Sequence, residues 1–288
     1  GTEKNWALLE ETKTPRIVFL SKLDKENINL DKIFAQLKEF DAKITPVIVP
    51  WGTFENLKGV IDLIDMKAYA YNDDKGKAIE VKDIPADQLD YANSLREPMV
   101  ESIVECDEEL MEKFFEGAEI SADELRGALR KGIAKNEIKP LISGMALKSV
   151  GTENVLDFIV DCCPSPAECR VLPVVKAGSE EELKLTADAN GPVCGFIFKK
   201  INEMAGDMIF LRAVSGTFNP GVEYYNTTTD NTERFSSFST LRGKNKVDVE
   251  KVVAGDIVVL VKPKSSTHGH TLCDKNSLPL FCLNKLSM

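Results

Sequence analysis

Nowhere in the 288 residues do 18 apolar residues follow one another, and the N-terminus lacks the charged-then-apolar order of a secretion signal. The sequence therefore reads as a cytoplasmic chain with no membrane partner. Histidine is scarce, at positions 268 and 270 only. With Cys273 these residues make three candidate ligands in a glycine-containing loop with no fourth, too few for a tetrahedral metal site, so no metal is assigned. Positive charge is short as well: the formal net charge is −10. That argues against a partner held by bulk electrostatics, such as DNA, because nonspecific nucleic-acid binding requires Lys and Arg to neutralise phosphates. The seven cysteines are odd in number and scattered from Cys106 to Cys282, which fits free thiols and not a disulfide framework. Adjacent Cys162 and Cys163 read as small apolar core residues. There is no internal repeat, no carboxylate pair set up for acid–base catalysis, and no Gly-x4-Gly-Lys-Ser/Thr phosphate loop.

What is present is a strand-loop-helix stretch at Pro15 to Leu37. The short apolar run Ile17 to Leu20 suits a strand buried on both faces of a parallel sheet. A polar loop with Lys22 and Asp24 follows, then a helical period at Leu30, Ile33, Phe34 and Leu37. In open α/β sheets ligands bind just beyond the carboxyl ends of the strands, so the loop from Ser21 to Glu26 is where a ligand is expected. Upstream, Trp6, Leu8 and Leu9 ahead of Thr14-Pro15 predict a helix feeding this strand. A second apolar strand spans Ile44 to Val49.

From Thr53 the character changes. Gly59 to Tyr71 and Ala78 to Val81 flank the turn-rich Asn72 to Gly76, the pattern of a β-hairpin. Pro85 suits a first helical position, and Pro98 is expected to kink or break the helix that follows. Ser121-Ala-Asp-Glu124 is a capping-box pattern opening a further helix. A strand returns at Glu137 to Ile142, followed by the loop Ser143 to Lys148 and a helix at Glu153 to Asp161. Val155, Leu156, Ile159 and Val160 are expected on that helix's buried side. If both strand-loop-helix units share one sheet, their loops lie at the same edge and face one ligand.

After Cys163-Pro-Ser-Pro166 the strands are short and evenly spaced: 193–201, 208–214, 222–225, 234–238, 249–253 and 257–261. Turns such as Pro220-Gly221 separate them, the pattern of an all-β barrel or sandwich. The small basic turn Lys244-Asn245-Lys246 reads by default as a solvated loop.

Several blocks then carry a family resemblance: PRIVFLSKLD at 15–24, LKGVIDLIDMKAYAY at 57–71, DEELMEKFFEG at 107–117, LRAVSGTF at 211–218 and VAGDIVVL at 253–260. In content and order they resemble bacterial elongation factor G, a translational GTPase. The resemblance implies a multidomain α/β plus all-β chain: a partial P-loop-GTPase-type parallel sheet (1–52 and 138–165), an inserted α+β subdomain (53–137), and a translation-factor β-barrel (166–288). It implies a fragment of a longer protein, with GTP or GDP and Mg²⁺ bound by the full-length factor and the ribosome, its rRNA and proteins, as partner.

Within that resemblance the guanine-recognition motif Asn-Lys-x-Asp falls on Ser21-Lys22-Leu23-Asp24. Asp24 would accept hydrogen bonds from the ring N–H and exocyclic amine of guanine. Lys22 would lay its stem along the base. The second motif, Ser-Ala-large, falls on Met145-Ala146-Leu147, with the Ala146 N–H aimed at the guanine oxygen. Ser21 replaces an Asn amide and Met145 a Ser hydroxyl, so no nucleotide is expected to bind the chain itself tightly. The Asp-x-x-Gly matches Asp73 to Gly76 and Asp188 to Gly191 are read as turns. Family members usually have Thr-Gly-Asp-Thr-Leu where this chain has His268-Gly269-His270-Thr271-Leu272. The implied role is ribosomal translocation. Alternatives are a noncatalytic ribosome-docking relative and a tetracycline-resistance ribosomal protection protein.

Overall fold

The computed structural model describes residues 1–71, 79–169, 174–176, 182–203, 206–274 and 280–282, which fall into two units, Gly1–Pro164 and Ser165–Met288. The first is a mixed sheet with helices. In chain order its elements are α1 (Thr2–Glu11), β1 (Val18–Leu20), α2 (Leu30–Phe40), β2 (Ile44–Trp51), β3 (Gly59–Asp62), β4 (Lys67–Tyr71) and β5 (Ile79–Asp83). Helices α3 (Ala86–Val104), α4 (Glu108–Phe115) and α5 (Ala122–Ala134), strand β6 (Lys139–Ser143) and helix α6 (Thr152–Cys162) complete it.

The six strands are ordered β1-β6-β2-β3-β4-β5. β6 runs parallel to both β1 and β2, whereas β3, β4 and β5 continue antiparallel from β2. The segment 53–137 thus extends the same sheet and shares its core: Val47 and Ile48 cluster with Val60, Ile61, Met99, Ile103, Leu129 and Ile142. The expected hairpin has Tyr71 opposite Ile79 as the last pair before its turn. Its tip at 72–78, including the Asp73 to Gly76 match, lies outside the described residues.

Two expectations for this unit are corrected and one is narrowed. β1 is not buried on both faces: it is the last strand of its sheet, neither Val18 nor Leu20 is fully buried, and Phe19 is exposed. Of the two outcomes expected at Pro98, the break does not occur: α3 runs from Ala86 to Val104 with Pro98 inside it. Burial of Met99, Ile103 and Val104 just beyond the proline holds the last turns in helical register, outweighing one missing ladder bond. Finally, α6 buries Asn154, Phe158 and Cys162, leaving Leu156, Ile159 and Val160 exposed. The expected stripe is the more apolar of the two, so periodicity pointed to it; the buried one includes the amide of Asn154, whose Oδ1 accepts from the Tyr71 hydroxyl at 2.8 Å.

The local signals hold where they are self-contained. The Ser121 hydroxyl accepts from the Glu124 N–H, and the Glu124 carboxylate accepts from the Ser121 N–H at 2.8 Å, closing the predicted capping box. Asn29 caps α2 by accepting from the Lys32 N–H at 2.9 Å.

The second unit is antiparallel and barrel-like. Its elements are β7 (Val174–Lys176), β8 (Glu182–Leu183), β9 (Cys194–Glu203), β10 (Gly206–Ser215), β11 (Thr217–Phe218), β12 (Glu223–Asn226) and β13 (Asn231–Arg234). They continue with β14 (Phe238–Arg242), β15 (Asn245–Val249), β16 (Val252–Val253), β17 (Ile257–Val261), β18 (Thr271–Asp274) and β19 (Leu280–Cys282). The main sheet is ordered β13-β12-β18-β9-β10-β17-β14-β15, with small sheets β11-β16 and β19-β7-β8 beside it. Phe218, Phe238, Tyr224, Leu211 and Leu272 fill its core. A Cβ at Gly195 would meet the Phe218 ring at 2.7 Å and Leu211 Cδ1 at 2.9 Å, so the core packs directly on the β9 backbone.

Two of the expected strands are each split. The stretch 234–238 is the end of β13 and the start of β14, with a bend between them and both Phe235 and Phe238 buried. The stretch 249–253 is the end of β15 and all of β16. In both cases an apolar pattern ran on through a bend whose flanking side chains point into one core. Asp188 to Gly191 is a turn, as read, closed by the Gly191 N–H on the Asp188 carbonyl at 3.1 Å.

Candidate functional site

The two candidate loops leave the sheet from neighbouring strands at the same rung. Leu20 of β1 lies opposite Ser143 of β6, and the Gly144 N–H donates to the Leu20 carbonyl at 3.0 Å. Because the strands are parallel, Ser21 to Asp24 and Met145 to Leu147 emerge at the same end of the sheet, the end where α/β sheets bind ligands.

The first loop is built around Leu23. Its side chain is 1% exposed, and its carbonyl accepts from the Phe54 N–H at 2.7 Å. Lys22 and Asp24 flank this anchor. Lys22 has φ +61°, a left-handed conformation uncommon for a residue with a Cβ, and its side chain is exposed. The Lys25 N–H bonds back to the Lys22 carbonyl at 3.2 Å and closes the turn. The Asp24 carboxylate is half-buried and has an ion pair with Lys25 at 3.6 Å, too long to saturate an acceptor.

The second loop is held from beneath. Met145 is 5% exposed, and its N–H and carbonyl exchange hydrogen bonds with Val150 at 2.8 and 3.1 Å. A Met cannot brace the loop by a hydroxyl; this two-way backbone bridge closes it instead. Ala146 opens the short 3-10 turn Ala146–Lys148, so its N–H has no partner inside that turn, while Leu147 projects into solvent. Gly144 must be glycine here: a Cβ would meet the Val150 carbonyl oxygen at 2.6 Å and the Phe19 ring at 3.0 Å.

One residue at this edge escaped sequence reasoning. The Ser143 hydroxyl is fully buried at the end of β6 and has no hydrogen-bond partner. Its signal was a hydroxyl closing the apolar pair Leu141-Ile142. Buried polar groups are nearly always paired, so an orphan beside the loops marks a place where a further group would fit.

Chemically, the edge offers a half-buried carboxylate acceptor, an N–H donor at the start of a 3-10 turn, and a long cationic stem. That set suits a planar base with adjacent N–H donors and a carbonyl. No phosphate-cradling glycine loop lies among these residues. Elsewhere, Gly243-Lys244 forms the β14–β15 turn, with Asn245 and Lys246 opening β15 and exposed. Among the described residues no group of three or more His, Cys, Asp or Glu could hold a metal ion, and no helix is long and apolar enough to cross a membrane. Cys106, Cys162, Cys163, Cys169, Cys194 and Cys273 are in no disulfide, with Cys162 buried and Cys163 half-buried.

The fold is an α/β unit with two candidate loops at one sheet edge, followed in the chain by an antiparallel β-barrel-like unit. Along almost its whole length the chain is similar to an elongation-factor-G-like protein. Residues 192–275 match the family described as Elongation factor G domain 2. Over 281 residues the chain is 38% identical to the "Elongation factor G-like protein" of Thermotoga maritima, covering 96% of this chain and 39% of that relative. It therefore spans about two fifths of that protein's length. A crystal structure of a Thermus thermophilus protein has the same fold, with a TM-score of 0.80 at 23% identity over 96% of this chain and 38% of that one.

Proposed function

We propose that the chain is the base-reading and second-domain part of an elongation-factor-G-like translational GTPase that promotes movement on the ribosome in the cytoplasm. The observation that carries this reading is the shared rung of Leu20 and Ser143, which sends Lys22-Leu23-Asp24 and Ala146 out at one sheet edge. In it, Asp24 accepts from the paired donors of guanine, the Ala146 N–H donates to the guanine carbonyl, and the Lys22 stem covers the base. The phosphates and Mg²⁺ are held by parts of the longer factor, where phosphoryl transfer receives its electrostatic support. Calorimetry of the full-length protein with GDP and GTP tests the proposal. Binding at micromolar to millimolar nucleotide supports it, and no binding at millimolar nucleotide overturns it.

A second reading is favoured by Ser21 and Met145: a ribosome-docking relative without nucleotide affinity. Ser21 is too short to reproduce an Asn amide, and Met145 spends its side chain in the core. The same calorimetric experiment separates the two.

A further inference from the structure

The loop between β17 and β18, residues 262–270, is fixed by two acidic or basic side chains that the base-reading edge does not use. Glu233 of β13 is 4% exposed. Its Oε1 accepts from the Ser265 N–H, from the Ser265 hydroxyl at 2.7 Å and from the Ser266 N–H at 2.8 Å. Its Oε2 is buried with no partner.

His270 closes the other half of the loop. The Thr267 N–H, which can only donate, points at His270 Nδ1 at 3.3 Å. The Asn226 side-chain nitrogen lies 3.1 Å from the same Nδ1. The orientation of that amide is set independently, because Asn226 Oδ1 accepts from the Thr228 and Thr229 N–H groups at 3.1 and 3.2 Å. Two donors therefore converge on Nδ1, which must be the unprotonated nitrogen of a neutral ring. The loop is also tied to β9, where the Gly269 N–H donates to the Ile197 carbonyl at 2.7 Å and the Ile197 N–H to the His270 carbonyl at 2.9 Å.

We propose that His270 is a pH-operated latch, holding the 265–267 segment closed while its ring is neutral and releasing Thr267 when Nδ1 takes a proton. A protonated Nδ1 becomes a donor facing two donors, so both bonds to it are lost. The buried, unpartnered Oε2 of Glu233 is the acceptor toward which the imidazolium is drawn. The charged groups around the ring are Glu233 from β13 and His268 from the same loop. β12 brings the uncharged Asn226, and β9 brings backbone groups. Burial pushes His270 below the usual imidazole range, with His268 acting in the same sense and Glu233 opposing both. Glu233 stays ionised through the transition: burial pushes its carboxyl up, but the donors from Ser265 and Ser266 outweigh that and hold it below the usual carboxylate range.

Amide hydrogen exchange on the whole chain tests the latch. After correction for intrinsic rates, protection of the Thr267 N–H should fall about fivefold or more between pH 7.5 and 5.5, while the Gly269 N–H keeps its protection. His270→Asn supplies an acceptor that does not titrate and should hold Thr267 protection level across that range. His268→Gln should retain the fall. An equal fall in His270→Asn, or a flat profile in the unaltered chain, overturns the proposal. A readout free of any variant is the ring's nitrogen shifts at pH 7.5: the Nε2–H tautomer is expected, and the Nδ1–H tautomer overturns it as well.

Discussion

Leu20 and Ser143 share one rung of a parallel ladder although 122 residues separate them, and the Gly144 N–H on the Leu20 carbonyl locks the loops beyond them side by side. The base-reading proposal stands on this pairing, and Asp24 tests it most directly. Xanthine replaces the exocyclic amine of guanine by a carbonyl, so Asp24→Asn in the full-length protein should weaken GTP and strengthen xanthosine triphosphate. Removing one partner of a buried charged hydrogen bond costs about 2–5 kcal/mol. Competition binding with the two nucleotides measures the exchange, and unchanged preference would make Asp24 an ordinary surface charge.

Lys139 is a deeply buried charge, 1% exposed, on the opposite end of β6 from the loops. Its ammonium pairs with both Glu10 of α1 and Asp41 after α2, and Trp6 donates to the same Asp41 at 3.0 Å. Lys139→Met should destabilise the α/β unit by about 1–3 kcal/mol, because Asp41 loses its cation while the more exposed Glu10 keeps Arg16 at 3.1 Å. Urea denaturation followed by tryptophan fluorescence reads it, and a loss under 1 kcal/mol would reduce the cluster to a surface-like pair.

The same cluster sets an acid limb. The hydrogen bond from Lys139 holds Glu10 below its usual value against the opposing effect of burial. Burial raises Asp41, but Lys139, the Lys43 N–H and Trp6 outweigh it, and Asp41 too lies low. Carboxyls depressed by folding give stability that is complete above their unfolded values near 4 and is lost as pH falls through the folded ones. Stability should therefore drop below about pH 4, and Lys139→Met should flatten that drop in pH-dependent denaturation curves.

Asp62 acts with the opposite sign. Burial pushes it up to about 6, although the Ile64 and Asp65 N–H groups stabilise its charge. The folded state then binds a proton that the unfolded chain has already released, so stability should fall as pH rises from about 4 to 6. Asp62→Asn keeps an acceptor for both N–H groups and should remove this fall. Thermal melts at pH 4, 5 and 7 decide it; a variant with the unaltered slope would place the titration elsewhere.

Gly132 sets helix propensity against packing. An alanine in the interior of α5 gains about 1 kcal/mol over glycine. Its Cβ would meet Cys106 Sγ at 2.5 Å and Ile138 Cγ2 at 2.8 Å, inside the core. Overpacking costs about 1–3 kcal/mol, so Gly132→Ala should be net destabilising. A raised melting temperature would show that Cys106 and Ile138 can give way.

Legibility followed the range of the interaction. The capping box at Ser121 and Glu124 could be read from the sequence because its partners lie within three residues of each other, whereas the Asn29 cap, equally local, went unread. The strands 17–20, 44–49, 137–142 and 257–261 were legible for the same reason: apolar runs bounded by polar or turn residues declare themselves locally. The family blocks gave the candidate loops their residue numbers, Ser21 to Asp24 and Met145 to Leu147.

Two features of the site were not legible. The bridge between Met145 and Val150 replaces a side-chain brace by backbone bonds, which no residue type announces. The orphaned Ser143 hydroxyl depends on what covers it.

The sequence by itself marked most of the helices and strands, the capping box that opens α5, and the passage near Pro164 from an α/β unit to short antiparallel strands. Tertiary structure alone decided that β1 is the last strand of its sheet and that 53–137 extends that sheet. It also decided that α6 turns Phe158 and not Leu156 inward, and that α3 survives Pro98. These outcomes have one cause. A local pattern fixes the period of an element, but its partner and its buried face are chosen by the apolar area that neighbours distant in sequence remove from water.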